Sequence, residues 1–184
     1  MGQALLVMDL QNGIVTRVSD QADALLDTLE HVIGAARQHD VPVIFVRVAF
    51  RPGAPEVSRR NQSFAALKST SPMDETDAAT QIHPRLSPRE GDVLVTKRRV
   101  SAFTGSDLDV VLRALEVDHL VLTGIATSGV VLSTTRQAAD LDYRLTVIAD
   151  ACADADPEVH RVLTEKVFPR QATVLNAAEW IANL

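Results

Sequence analysis

The stretch GIATSGVVLSTTRQAADLDY, residues 124–143, carries the fold reading. It leaves a short apolar run at 120–123 (LVLT), passes through a turn of small residues, and enters a segment with helical patterning at 131–141. A second apolar run, 145–149 (LTVIA), comes directly after, so the unit reads as strand, turn, helix, strand. Runs of the same kind stand at 4–8 (ALLVM), 43–48 (VIFVRV) and 93–96 (VLVT), with 173–175 (TVL) as an edge candidate. Such near-continuous apolar runs suit strands covered on both faces, which points to a parallel sheet.

Helical segments fill the gaps. Residues 21–39 place Ala24, Leu25, Leu29, Val32, Ile33 and Ala36 at spacings of three and four. Residues 106–115 do the same with Leu108, Val111, Leu112 and Leu115, and Ser106 or Thr104 is a candidate cap. Further helices are expected at 157–167, capped by Asp154 or Asp156, and at 179–184. Alternation of this kind predicts an α/β three-layer sandwich, a central parallel sheet with helices on both faces. The exception is 51–90, which holds five of the eight prolines and shows one short helical pattern near 64–68. A connection of that length inside one domain, here 1–184, reads as a lid or a partner contact.

The totals narrow the function classes. A chain of 184 residues is about one domain long, and 46% hydrophobic with 23% charged residues is ordinary for a soluble globular protein. The net charge of −6 speaks against nucleic acid and anionic membrane as partners. The N-terminal MGQALLVMDLQNG lacks a basic segment before its apolar run and reaches Asp9 at once, unlike a signal peptide or membrane span. The single cysteine, Cys152, allows no disulfide framework within the chain, and a cytoplasmic location is the expectation.

In an open parallel sheet, ligands bind beyond the carboxyl ends of the strands, so the residue after each strand is where chemistry belongs. Those positions hold Asp9, Lys97, the 126–130 turn and Asp150. Asp9 reads either as a turn cap or as a partly desolvated acid whose pKa a neighbouring cation sets. Lys97 opens KRR and reads either as a solvated basic residue or as a side chain aimed into the site. Asp150 reads as turn and capping structure, and Cys152 as a small buried hydrophobe.

Three motifs taken together resemble the isochorismatase-like hydrolases, a superfamily that includes isochorismatases, nicotinamidases and N-carbamoylsarcosine amidohydrolases. LLVMDLQNGI resembles its opening strand, Asp, one residue and Gln; TKRRVSAFTGSDLDVVLRAL its Lys, spacer and Ser-Ala-Phe; and the 120–154 region its nucleophile turn. The resemblance spans nearly the whole chain and implies a central sheet of five or six strands. It also implies Asp9 and Lys97 as catalytic residues, with Gln11 and Phe103 lining the pocket. The resemblance further implies a non-proline cis peptide at Ile125–Ala126, orienting main-chain N–H groups near Ala126 and Val130, with Gly129 allowing close backbone approach. Homodimers or homotetramers are common in the superfamily.

One position departs. The amide-cleaving members carry a cysteine six residues after the glycine of Gly-Ile/Val-Ala-Thr, and counting from Gly124 lands on Val130. The nicotinamidase metal pattern, Asp-x-His and a further His, has no counterpart in VAFRPGAPEV, and the five histidines are scattered, so neither metal nor cofactor is expected. Isochorismatases resemble this chain in keeping Asp and Lys without the cysteine. A histidine found in them two residues before the cysteine position is Ser128 here. The expectation is a small-molecule hydrolase with Asp9 as acid in vinyl-ether-type chemistry. Alternatives are a catalytically silent binding or assembly protein, and an amidase using Ser128 or Thr127, neither of which has a histidine adjacent in sequence.

Overall fold

The structure is a computed structural model that describes residues 2–70 and 73–184. Along the chain run β1 (Gly2–Met8), α1 (Asn12–Val15), α2 (Ser19–Gln38), β2 (Val43–Val48) and α3 (Gln62–Thr70). They are followed by β3 (Val93–Lys97), α4 (Leu108–Ala114), β4 (Val117–Ile125), α5 (Leu132–Asp140), β5 (Arg144–Ala153), α6 (Pro157–Val162), β6 (Thr173–Leu175) and α7 (Ala177–Ile181). Among the described residues, six strands form one sheet in the order β3-β2-β1-β4-β5-β6, every pairing parallel.

The strand alternation sends side chains to two cores. Leu5, Val7, Val43 and Phe45 pack with Leu25, Leu29, Val32 and Ile33 of α2 and Trp180 of α7 on one face. Leu6, Met8, Ile44 and Val46 pack with Leu108 and Leu112 of α4, Ala138 of α5 and Phe168 on the other. Both faces of β1 are therefore covered, which is why its sequence is apolar without interruption. None of the described helices is long and apolar enough to cross a membrane.

The expected elements are present, with boundary shifts that have physical causes. β4 starts three residues before the apolar run, because Asp118 pairs with Arg144 at 2.9 Å and His119 bonds Thr146 at 2.9 Å across β5. β5 runs on past Ala149 to Ala153 through an irregularity in which Leu122 faces Val147 but Gly124 already faces Cys152. Asp150 lies in that irregularity, and its carboxylate accepts from the Ala177 N–H at 2.8 Å, the capping duty expected of it. Of the two candidate caps for α6, Asp156 is the one used, accepting from Glu158 N–H at 2.9 Å, with Pro157 in the first turn. α7 begins at Ala177, two residues before the expected start, because Asn176 and Glu179 form a reciprocal capping box.

Candidate functional site

The strand order reverses direction between β1 and β4, and there the carboxyl ends of two inner strands leave a crevice. Gly124 lets these strands come so close: its φ is +140°, and an added Cβ would lie 2.2 Å from the Met8 carbonyl oxygen. Beyond it, the Ile125–Ala126 peptide is cis, as the resemblance implied. The chain then winds through a π-helical turn, Thr127–Val131, into α5. Gly129 is different: an added Cβ would meet only Ala126 Cβ at 3.7 Å, an ordinary contact.

A cavity of about 280 Å³ opens at this rim, lined by Asp9, Lys97, Ile125, Ala126, Gly129 and Val130 among others. These are six of the eight positions proposed from sequence. Asp9 follows β1 in a left-handed backbone conformation, φ 58°, which Asp tolerates better than most residues. Lys97 ends β3, two strand spacings or about 10 Å away in the sheet. A long side chain is needed to cross behind β2, and its Nζ reaches Asp9 Oδ2 at 2.9 Å while donating to the Arg99 carbonyl at 3.0 Å. The ammonium is 1% exposed and the carboxyl 9%. Asp9 Oδ1 is buried without a hydrogen-bond partner among the described residues. Burial pushes the Asp9 carboxyl above its ordinary range, more strongly than Lys97 and then Arg17 pull it down.

The other two positions are placed elsewhere. Gln11 is fully buried, but its amide is spent on the main chain: Nε2 donates to Val48 O at 2.9 Å and Thr80 O at 2.8 Å, and Oε1 accepts from Val48 N–H at 2.8 Å. It staples β2 and the 51–90 segment to the end of β1. Phe103 packs in the α4–α5 core, its ring 6.0 Å from that of Tyr143. The aromatic ring lining the cavity is instead Phe64 of α3, accompanied by Ser63, Leu67 and Met73 from the same long segment. Arg17, in a turn after α1, also lines it and carried no motif to announce it.

Cys152 is 5% exposed in the core, and burial pushes its thiol up to about 12, so it is neutral at physiological pH. Thr127 does have a histidine, His160 from α6, with Oγ1 and Nδ1 2.8 Å apart. Sequence adjacency could not show this across 33 positions. Yet Thr127 is fully buried and outside the cavity lining, so the pair fastens α6 to the turn. The Asp154 carboxylate adds to it by accepting from the Ser128 N–H at 2.7 Å. No cluster of His, Cys, Asp and Glu suited to a metal ion occurs among the described residues.

Comparison with known proteins points to one family. A family model for the isochorismatase domain matches residues 3–179. The isochorismatase family protein YwoC of Bacillus subtilis is 36% identical over 91% of this chain and 86% of its own. The ureidoacrylate amidohydrolase RutB of Pseudomonas syringae is 31% identical over 94% of this chain and 76% of its own. The solved structure of an isochorismatase family protein from Burkholderia thailandensis superposes with a TM-score of 0.86 at 31% identity, covering 98% of this chain and 94% of that one. With a family model matching almost its whole length and relatives more than 30% identical across most of it, the chain belongs to the isochorismatase family.

Proposed function

We propose that the chain is a hydrolase of a small molecule that works by acid–base chemistry without a covalent enzyme intermediate, and that its reaction is of the vinyl-ether type. The observation that supports this is the Asp9 carboxyl: Lys97 holds Oδ2, and Oδ1 is buried and unpartnered at the cavity, with burial favouring the protonated form. Asp9 gives its proton to the terminal carbon of C=C–O. The alkene electron pair forms the new C–H bond, and an oxygen lone pair completes the oxocarbenium ion. Water adds to the oxygen-bearing carbon of that ion and returns a proton to the Asp9 carboxylate. In the resulting hemiketal the C–O bond to the ether oxygen then breaks, that oxygen taking up a proton as the new hydroxyl loses one, which releases an alcohol and a carbonyl compound. Lys97 stabilises the carboxylate between the two transfers. Residues 51–90 serve as a lid over the single domain 1–184, since Ser63, Phe64, Leu67 and Met73 roof the cavity. By resemblance the working form is a homodimer or homotetramer, which light scattering would read.

The test is turnover of isochorismate and simpler enol ethers by wild type, Asp9→Asn and Lys97→Ala. A positioned acid is worth about 10²–10⁴-fold, so Asp9→Asn should lose at least that order of activity. Undiminished turnover in Asp9→Asn would end the acid reading.

A second reading, binding without turnover, is favoured by Val130: this valine, 2% exposed, stands at the position where the resemblance puts the thiol of amide-cleaving members. Wild-type protein that binds enol ethers or amides yet converts none would establish it. Gain of amide hydrolysis in Val130→Cys would instead show that the cavity accepts amides and lacks only the nucleophile.

A further inference from the structure

The cavity lining carries three charged side chains, Asp9, Lys97 and Arg17. Lys97 Nζ pairs with Asp9 Oδ2 at 2.9 Å. Arg17 makes no hydrogen bond or ion pair among the described residues. Arginines that hold the fold together are paired: Arg37 with Asp92, Arg85 with Asp27 and Glu30, Arg161 with Glu158 and Glu165. When Asp9 carries the proton its proposed role demands, two cations and no anion face the cavity. The remainder is mostly apolar, with Ile14, Val18, Val48, Phe64 and Met73 prominent.

We infer that Arg17 is the specificity-determining residue of this cavity and that it selects a small organic carboxylate, with the apolar body in the cavity and the carboxylate on the guanidinium. A planar guanidinium suits a carboxylate through two parallel N–H···O bonds, which a neutral ligand cannot reproduce. The apolar lining and a volume near 280 Å³ set the body at about the size of a single ring. The same contact acts on Asp9. Free Arg17 draws the Asp9 carboxyl downward, and a bound carboxylate cancels that pull, so ligand binding itself favours the protonated acid.

The inference rests on the acid reading, but its test does not need turnover. Calorimetric titration with benzoate and with benzamide, an anion and its neutral counterpart, measures the charge preference directly. Wild type should bind benzoate about tenfold or more tightly than benzamide, the difference shrinking with added salt. Benzoate binding should also take up protons, read by repeating the titration in buffers of different ionisation enthalpy. Arg17→Gln, a change at an exposed position, should bind both ligands alike and lose the proton uptake. Equal affinities in wild type, no binding of benzoate, or a preference retained in Arg17→Gln would overturn the proposal. Asp9→Asn keeps the two claims apart: it should retain the benzoate preference while losing turnover. Turnover retained there ends the acid mechanism alone, whereas the Arg17-dependent preference stands or falls on binding.

Discussion

Asp9 and Lys97 are each buried to a degree that a lone charge would not survive. The carboxyl lies above its ordinary range, so its folded pKa exceeds the unfolded 3.8. A group of that kind favours the fold fully below 3.8, and the contribution is lost as pH rises through the raised value. Lys97 is the strongest influence opposing the rise. Lys97→Met should therefore send the carboxyl higher still and leave a buried anion uncompensated at neutral pH, costing about 3–5 kcal/mol. Urea midpoints would show a large deficit at about pH 7.5 that shrinks toward about pH 4.5. A deficit independent of pH would mean that the lysine contributes packing alone. Cys152, by contrast, is neutral and not among the residues that line the cavity, so the one thiol of the chain stands outside the proposed chemistry.

The turn Thr127–Val131 keeps its shape partly through α6. His160 meets Thr127 and Asp154 holds the Ser128 N–H, so the helix and the strand end of β5 brace the small residues facing the cavity. Burial holds His160 below its ordinary 6.5, against the pull of Asp154. The unfolded chain binds that proton at higher pH than the folded one does. The contribution is thus complete above 6.5 and is lost as pH falls from there through the lowered value. His160→Gln should flatten the acid side of the stability profile between about pH 6.5 and about pH 5. Some slope should remain, because His119 is likewise held down by burial. Identical profiles in the two proteins would contradict the assignment.

The order β3-β2-β1-β4-β5-β6 puts the catalytic candidates on three strands that are far apart in sequence, and residues of the 51–90 segment line the same cavity. The run Lys97-Arg98-Arg99 divides between these tasks. Lys97 turns inward to Asp9. Arg98 donates to the Ala49 carbonyl and pairs with Glu75, and Arg99 donates to the Glu56 carbonyl at 2.8 Å while its guanidinium sits 6.0 Å from the Phe64 ring. The 51–90 segment is therefore tied to the strand that supplies the site's cation. Arg98→Ala removes charge-assisted bonds of about 1.5–3 kcal/mol each, enough for local opening to rise about tenfold or more. Limited proteolysis should cut within 51–90 correspondingly faster, with the global unfolding midpoint much less affected. Unchanged cleavage would show that the segment is held by its apolar contacts instead.

Much of this was legible along the chain. Apolar runs betray strands buried on both faces, spacings of three and four betray helices, and the acid and the lysine stand directly after their strands. Those signals are local, since each depends on neighbours within a turn or a strand. What the crossovers bring together is not local. Gln11 shares a motif with Asp9, yet Val48 and Thr80 consume its amide once β2 and the long segment pack beside it. Phe103 lies next to the lysine motif but faces the α4–α5 core, while Phe64 takes the place expected of it. The meeting of His160 with Thr127, and the Asp9 oxygen and Arg17 guanidinium left without partners among the described residues, likewise exist only after folding. Hydrophobic pattern is written residue by residue, whereas the partner of a polar atom is chosen by whichever distant segment the packed sheet sets against it.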